Sequence, residues 1–337
     1  MSESRVSTIG SWEAESVTVG AVDRALSDLR RHEKRAAVRT SVLTLVAVVA
    51  SQAEADLTLE IVAGLGARHP SRTLVLVVGE AEDGDGHGAG DRRAAIDAAA
   101  SVHVVERQGT AICYEDVVLR VRGPARYHLD SVVEPLTLPD LPVVVWTPSH
   151  LPDLGDPLLT EADRLVVDSR TVPEAGDVFV RIAALARRLP VTDLSWTRLA
   201  PWRSLLAGLF EGGVNRRFLA GVQKVEVAGN HGPRYLIGGW LMRRLELQPD
   251  AVVLTRAEHV SIRVSAVSEG RTGTFVVERL GPERAIESAI DIDGGACVRQ
   301  TLTMRRQWPA LSLAGALTAM GHDHSYRDAL AGALELA

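Results

Sequence analysis

The residues that decide the fold are SVLTLVAVVA at 41–50 and RTLVLVVG at 72–79, joined by a helix-compatible segment at about 53–67. Runs that are apolar at nearly every position, not at alternate ones, belong to strands covered on both faces. Two such strands with a helix between them form a parallel crossover unit. Working outward, SVHVVER (101–107), PVVVWTP (142–148) and RLVVDS (164–169) continue the scheme. An α/β fold is therefore expected over about 40–230, as a mostly parallel twisted sheet flanked by helices. CYEDVVLRVRG (113–123) carries charges at alternate places, which predicts an edge strand.

Toward the N-terminus the texture is polar, and Val22, Ala25, Leu26 and Leu29 mark one amphipathic helix ahead of the charged RRHEKR. Toward the C-terminus a helix at about 233–247 leads into short alternating segments. In SIRVSAV (261–267), Ile262, Val264 and Ala266 share one face while Ser261, Arg263 and Ser265 share the other; AIDIDGG and TLTMRR repeat the pattern. That alternation predicts a smaller α+β domain with an antiparallel sheet, its apolar face covered by two closing helices at about 313–320 and 326–336. The expected organisation is a polar N-terminal segment (1–39), an α/β domain (40–248) and an antiparallel-sheet domain (249–337).

Composition removes several function classes. Hydrophobic residues at 46% and charged residues at 24% are globular proportions, and a net charge of −6 gives no positive field to gather nucleic acid. The longest apolar run, Val42 to Ala50 interrupted by Thr44, is about half of the ~20 residues a membrane span needs. No secretory or lipidation signal opens the chain, so a cytoplasmic protein is expected. Cys113 and Cys297 are the two cysteines, with no CxxC pair, which excludes a disulfide scaffold.

Neither GxGxxG nor GxxxxGK[ST] occurs, and no GxSxG, SxxK or HExxH marks a nucleophile or a zinc site. The glycine-rich GEAEDGDGHGAGD (79–91) follows a strand, but its five carboxylates would repel a phosphate. In GHDHS, His322, Asp323 and His324 are read as a linker with Asp323 a helix N-cap, so no metal is expected. HPSR (69–72) ends a helix and enters a strand. GNHGPR (229–234) is the nearest approach to an anion-binding turn, with Arg234 placed to meet a phosphate, although a helix entry explains it more simply. Cys113 and Cys297 are the redox candidates, each read first as inert. No cofactor is expected.

The most informative stretch is DLSWTRLAPWRSLLAGLFEG (193–212), in which Trp196, Arg198, Trp202 and Arg203 precede a Leu/Phe helical stripe. Trp and Arg are the residues most enriched at interface hot spots. Two readings stand, core anchorage beneath a sheet and direct contact with a partner, the first being the simpler.

With VLTLVAVV (42–49), HPSR, CYEDVVLRV (113–121), PDLPVVVWTP (139–148) and DRLVVDS (163–169), this stretch resembles the OpcA family, the glucose-6-phosphate dehydrogenase assembly proteins of actinobacteria and cyanobacteria. The matching blocks keep the family's order across about 40–245. The resemblance implies a non-catalytic allosteric activator that binds glucose-6-phosphate dehydrogenase, promotes its active oligomer and so supports the oxidative pentose phosphate pathway. Trp146, Trp196, Arg198, Trp202 and Arg203 become contact candidates, with Arg234 and Trp240 as secondary ones. Cyanobacterial members resemble redox relays with thioredoxin-responsive cysteines near the C-terminus; after residue 250 this chain has only Cys297, too few for an intramolecular disulfide of that kind. The alternative is a sugar-phosphate sensor or enzyme using the crevice at the strand ends of the α/β sheet.

Overall fold

The computed structural model describes residues 6–31, 41–65, 68–79, 95–107, 110–172, 177–280, 285–295, 298–303, 309–318 and 323–337. The chain divides into two units: 1–167 with 188–191 and 309–318, and 168–187 with 192–308 and 319–337.

The first unit begins with β1 (Val6–Ala14) and α1 (Val19–Arg31), then alternates β2 (Leu43–Val49), α2 (Gln52–Ala63) and β3 (Ser71–Val77). A long hairpin, β4 (Ala95–Arg107) and β5 (Thr110–Arg122), is followed by the short α3 (Leu129–Val133), β6 (Val143–Thr147) and β7 (Arg164–Val167). The sheet order is β1-β4-β5-β3-β2-β6-β7 and then β8 (Val191–Asp193), within which the chain passes to the second unit. The pairs β5/β3, β3/β2, β2/β6 and β6/β7 are parallel. All seven residues of β2 are buried, as expected of a strand at the centre of a sheet covered on both faces. The fold is α/β, with the mostly parallel sheet that the apolar runs predict.

Three local expectations change. SVHVVER lies in β4, which is antiparallel to both neighbours, and the N-terminal segment contributes the strand β1 as well as a helix. β5 is an interior strand between β4 and β3, not an edge strand. Its charges are answered inside the sheet. Glu115 is bound by Arg72 and Arg30 at 2.6 Å each, Asp116 lies 3.0 Å from His103 Nε2, and Arg120 Nε donates to Gln52 Oε1 at 2.7 Å.

The second unit contains α4 (Val178–Ala186), α5 (Leu194–Arg198), α6 (Ala200–Leu209), α7 (Gly213–Arg216), β9 (Val222–Gly229) and α8 (His231–Arg244). These precede β10 (Val252–Arg256), β11 (Ser261–Ser268), β12 (Arg271–Leu280), β13 (Ala285–Ile292) and β14 (Val298–Thr303). Of the closing helices, α9 (Pro309–Thr318) belongs to the first unit and α10 (His324–Leu336) to the second. The second sheet runs β10-β9-β11-β12-β13-β14, antiparallel except for β9/β10, which α8 joins as a crossover. Ile262, Val264 and Ala266 are buried on one face, as their alternation predicts. The hairpin β11/β12 turns on Glu269 and Gly270, both left-handed, the conformation a two-residue turn of this twist requires.

The cover of that apolar face differs from expectation. Phe210, at the end of α6, packs against Phe275 with centroids 4.2 Å apart and the rings tilted, and Phe218 meets the same ring edge-on. α9 instead packs beside α2, where Gly64 leaves room for Ala310; a Cβ on Gly64 would sit 2.8 Å from the alanine methyl. α10 crosses α8 at Gly239 and Gly332, whose missing side chains let the two backbones touch.

Candidate functional site

The DLSWTRLAPWR stretch forms an internal knot of the second unit. Asp193 caps α5: its Oδ1 accepts from Ser195 N at 2.8 Å and from Ser169 N at 3.2 Å. Ser195 Oγ donates to Asp168 Oδ1 at 2.9 Å, and Arg198 pairs with that same carboxylate oxygen. Asp193 is buried, and its Oδ2 has no hydrogen-bond partner among the described residues. Burial, reinforced by the negative charge of Asp168, pushes its pKa up to about 6.

Trp196 is the centre of the knot. The Arg203 guanidinium lies 3.6 Å above its ring, Trp240 meets it edge-on at 6.2 Å, and the Tyr326 ring is 6.2 Å away. Its Nε1 donates to Asp323 Oδ2 at 2.8 Å. Asp323 also caps α10 by accepting from Tyr326 N, so one carboxylate ties α5 to the start of the C-terminal helix. Burial lowers the Arg203 pKa against the opposing charge of Asp323, and raises that of Tyr326 well above its usual range, as do Asp193 and Asp323.

The structure therefore brings Trp196, Arg198, Arg203 and Trp240 together and places the other candidates elsewhere. Trp202 is buried in α6, its Nε1 without a partner among the described residues. Arg234 is buried at the start of α8, where it donates to Gly229 O at 3.3 Å and lies 5.2 Å over the Tyr235 ring. Trp146 lies in β6 of the first unit at 2% exposure. Cys113 is buried in β5; Cys297, His322 and residues 80–91 of the glycine-rich segment lie outside the described residues. No group of three metal-ligating side chains is found among the described residues. No described helix is long and apolar enough to cross a membrane.

Two features escape sequence reasoning. The first is a cavity of about 380 Å³ bounded by α6, α8 and β11, with Leu206, Phe210, Leu241, Leu245 and Val264 as its walls and Trp240 on its side. Glu211, Arg216 and Arg244 stand at its rim. Its walls come from residues spread over some 60 positions, so no local pattern announces it. The second lies in the first unit, at the crevice where β2 neighbours β3 on one side and β6 on the other, the usual ligand position of such sheets. Here Glu54, in the first turn of α2, accepts from Ala50 N at 2.9 Å and from Ser149 Oγ at 3.2 Å, while Ser51 Oγ accepts from Glu54 N. The S-x-x-E spacing of Ser51 and Glu54 is a capping-box signal that could have revealed it. The helix N-terminus that would receive a phosphate already holds the protein's own carboxylate.

Fold and site together define a two-sheet α/β protein whose densest Trp and Arg chemistry is turned inward, beside an open apolar cavity. Comparison with known proteins supplies the family. Residues 63–188 match the model described as glucose-6-phosphate dehydrogenase subunit N-terminal domain, and residues 189–330 match that of the C-terminal domain. The chain belongs to the OpcA family. Curated relatives described as OxPP cycle protein OpcA include one from Synechocystis sp., 32% identical over 149 residues (42% of this chain, 31% of the relative). Another, from Nostoc punctiforme, is 27% identical over 171 residues (49% and 37%). The chain thus matches about a third of the length of these relatives. Among solved structures, a scyllo-inositol dehydrogenase from Lactobacillus casei aligns over 89% of this chain and 96% of its own at 9% identity, with a TM-score of 0.35, too low to carry an argument.

Proposed function

We propose that this chain is a non-catalytic partner of glucose-6-phosphate dehydrogenase, which it binds in the cytoplasm to favour the active oligomer. The observation that carries the reading is the contiguous match of both family domains over residues 63–330. The Glu54-filled crevice supports it from the other side, because a sugar-phosphate site there would have to displace an internal carboxylate from the helix it caps. An activator works by binding the active conformation more tightly than the inactive one. A difference of about 1.4 kcal/mol moves that equilibrium tenfold, within reach of a few well-packed anchors.

The seven candidate side chains then divide by access. Trp146, Trp196, Trp202 and Arg234 are buried and would act by shaping a surface, whereas Arg203 and Trp240 are partly buried and Arg198 retains 20% of its side-chain exposure. Initial rates of the same organism's dehydrogenase against glucose 6-phosphate, with and without equimolar protein, test the reading. A lowered half-saturation concentration or raised maximal rate is expected. Unchanged rates with co-elution on a sizing column would reduce the role to a scaffold, and unchanged rates without co-elution would end the proposal.

A further inference from the structure

Building on the dehydrogenase-partner reading, we propose that the cavity bounded by α6, α8 and β11 is a docking pocket for a large apolar side chain with an acidic neighbour, both from one segment of the dehydrogenase. About 380 Å³ of space walled by Leu206, Phe210, Leu241 and Val264 offers apolar surface and little else to a guest. Interface anchors fill pockets of this kind, near the centre of a contact and shielded from water.

The rim selects the charge of the neighbour. Arg244 is already engaged, at 3.3 Å from Asp328 and 3.4 Å from Ser325. Arg216 is exposed and its side chain makes no hydrogen bond or ion pair among the described residues, so its guanidinium is available to a carboxylate in the bidentate geometry such pairs favour. Glu211, the third rim charge, also has no side-chain partner among the described residues; it leaves the rim with a net charge of +1 and stands against a segment that is acidic throughout.

The approach to the pocket is open. Gly208 and Gly213, on either side of the α6–α7 turn, have no atom within 4 Å of where a side chain would begin, and Val214 beside them is 61% exposed. The wall behind is rigid: Trp240 rests edge-on against Trp196, itself held by Arg203 and Asp323. A preformed wall spares the complex the ordering cost that weakens flexible sites. The buried Trp–Arg motif thereby serves binding without touching the partner.

The test uses the full chain and the purified dehydrogenase in titration calorimetry. Ala207 is exposed on α6 and lines the cavity, so Ala207→Trp fills the mouth without moving core atoms. It should weaken binding at least tenfold, Arg216→Glu about tenfold, and Arg216→Lys less than threefold. Leu57→Ala, on the exposed face of α2 in the first unit, should leave affinity unchanged. Each variant should melt within about two degrees of the wild type. If the wild type binds and both pocket variants bind equally well, the pocket is wrong and the dehydrogenase reading stands. If the wild type does not bind, that reading falls and the assignment of the occupant falls with it. If Ala207→Trp instead converts a dimer of this chain to a monomer, the occupant is a second copy and the proposal is overturned.

Discussion

Each unit buries an ionic cluster, and the two are balanced in opposite ways. In the first unit Glu115 lies between two guanidiniums, Arg72 on β3 and Arg30 on α1, with Arg72 also donating to Leu136 O at 2.9 Å. Asp23, 3.7 Å from Arg72, adds a second, half-exposed negative charge. In the second unit two carboxylates, Asp168 and Asp193, lie together, and Arg198 pairs with the first of them. The first cluster meets each buried ion with an opposite charge, although Arg72 Nη2 has no hydrogen-bond partner among the described residues, so it can sit inside a sheet. The second holds Asp193 under a penalty that protonation relieves. Buried charge costs stability where the partners run out, and neighbours set the sign of a mutation.

Removing the central anion of the balanced cluster should have the largest effect. Glu115→Ala leaves Arg72, at 2% side-chain exposure, facing Arg30 without the carboxylate that joins them. A loss of about 3–5 kcal/mol is expected in urea unfolding, the range for one partner of a buried pair removed alone. A loss below about 1 kcal/mol would mean that Asp23 suffices and that the cluster is not balanced on Glu115.

Arg198→Ala should come next. It leaves Asp168 buried beside Asp193 with the Ser195 hydroxyl and Arg170 N, at 3.1 Å, as its donors, at a cost of about 2 kcal/mol. Because the effect is structural, the melting temperature should fall with dehydrogenase affinity, whereas a true contact residue would lower affinity alone. Loss of affinity at unchanged stability would move Arg198 from the knot to the interface.

Asp193→Asn should act in the opposite direction. The folded state holds the Asp193 proton more tightly than the unfolded chain, raising the pKa from the ordinary 3.8 to about 6. Its contribution to stability is therefore complete at pH 3.8 and below and is lost as the pH rises through about 6. A shift of this size corresponds to up to about 3 kcal/mol at roughly 1.4 kcal/mol per unit. An asparagine keeps the Oδ1 acceptor for Ser169 N and Ser195 N and puts an amide where Oδ2 has no partner. The variant should be more stable by about 1–2 kcal/mol at pH 7.5, equal to the wild type near pH 4, and without the wild type's decline between them. Equal pH dependence in both proteins would show that Asp193 stays ionised throughout.

The parallel core was legible because β2, β3, β6 and β7 carry short runs rich in Val and Leu, whose length and β-branched content favour a buried strand over a buried helix. The alternation of Ile262, Val264 and Ala266 gave the second sheet's buried face in the same way. β5 misled because alternating charge marks an edge only when water is the partner, and its partners are Arg72 and Arg30, 43 and 85 positions away. The Trp–Arg motif was visible as a concentration of side chains. Its inward orientation was not, because Asp323, which fixes Trp196, enters from 127 positions downstream.

That long-range bond supplies the smallest effect and the finest distinction. Trp196→Phe keeps an aromatic face for Arg203 and Trp240 but removes the indole donor to Asp323. Asp323 still caps α10 through Tyr326 N, so the helix itself should persist. The expected cost is about 1–2 kcal/mol, a hydrogen bond to a charged acceptor plus the smaller ring. Hydrogen exchange should rise chiefly in α10 while the amides of β9 and β11 remain protected. Because Trp240 would lose some of its backing, dehydrogenase affinity should fall by less than for Ala207→Trp. If affinity instead falls as far as with the filled pocket, Trp196 is more than a support, and the division between an inward knot and an outward cavity must be redrawn.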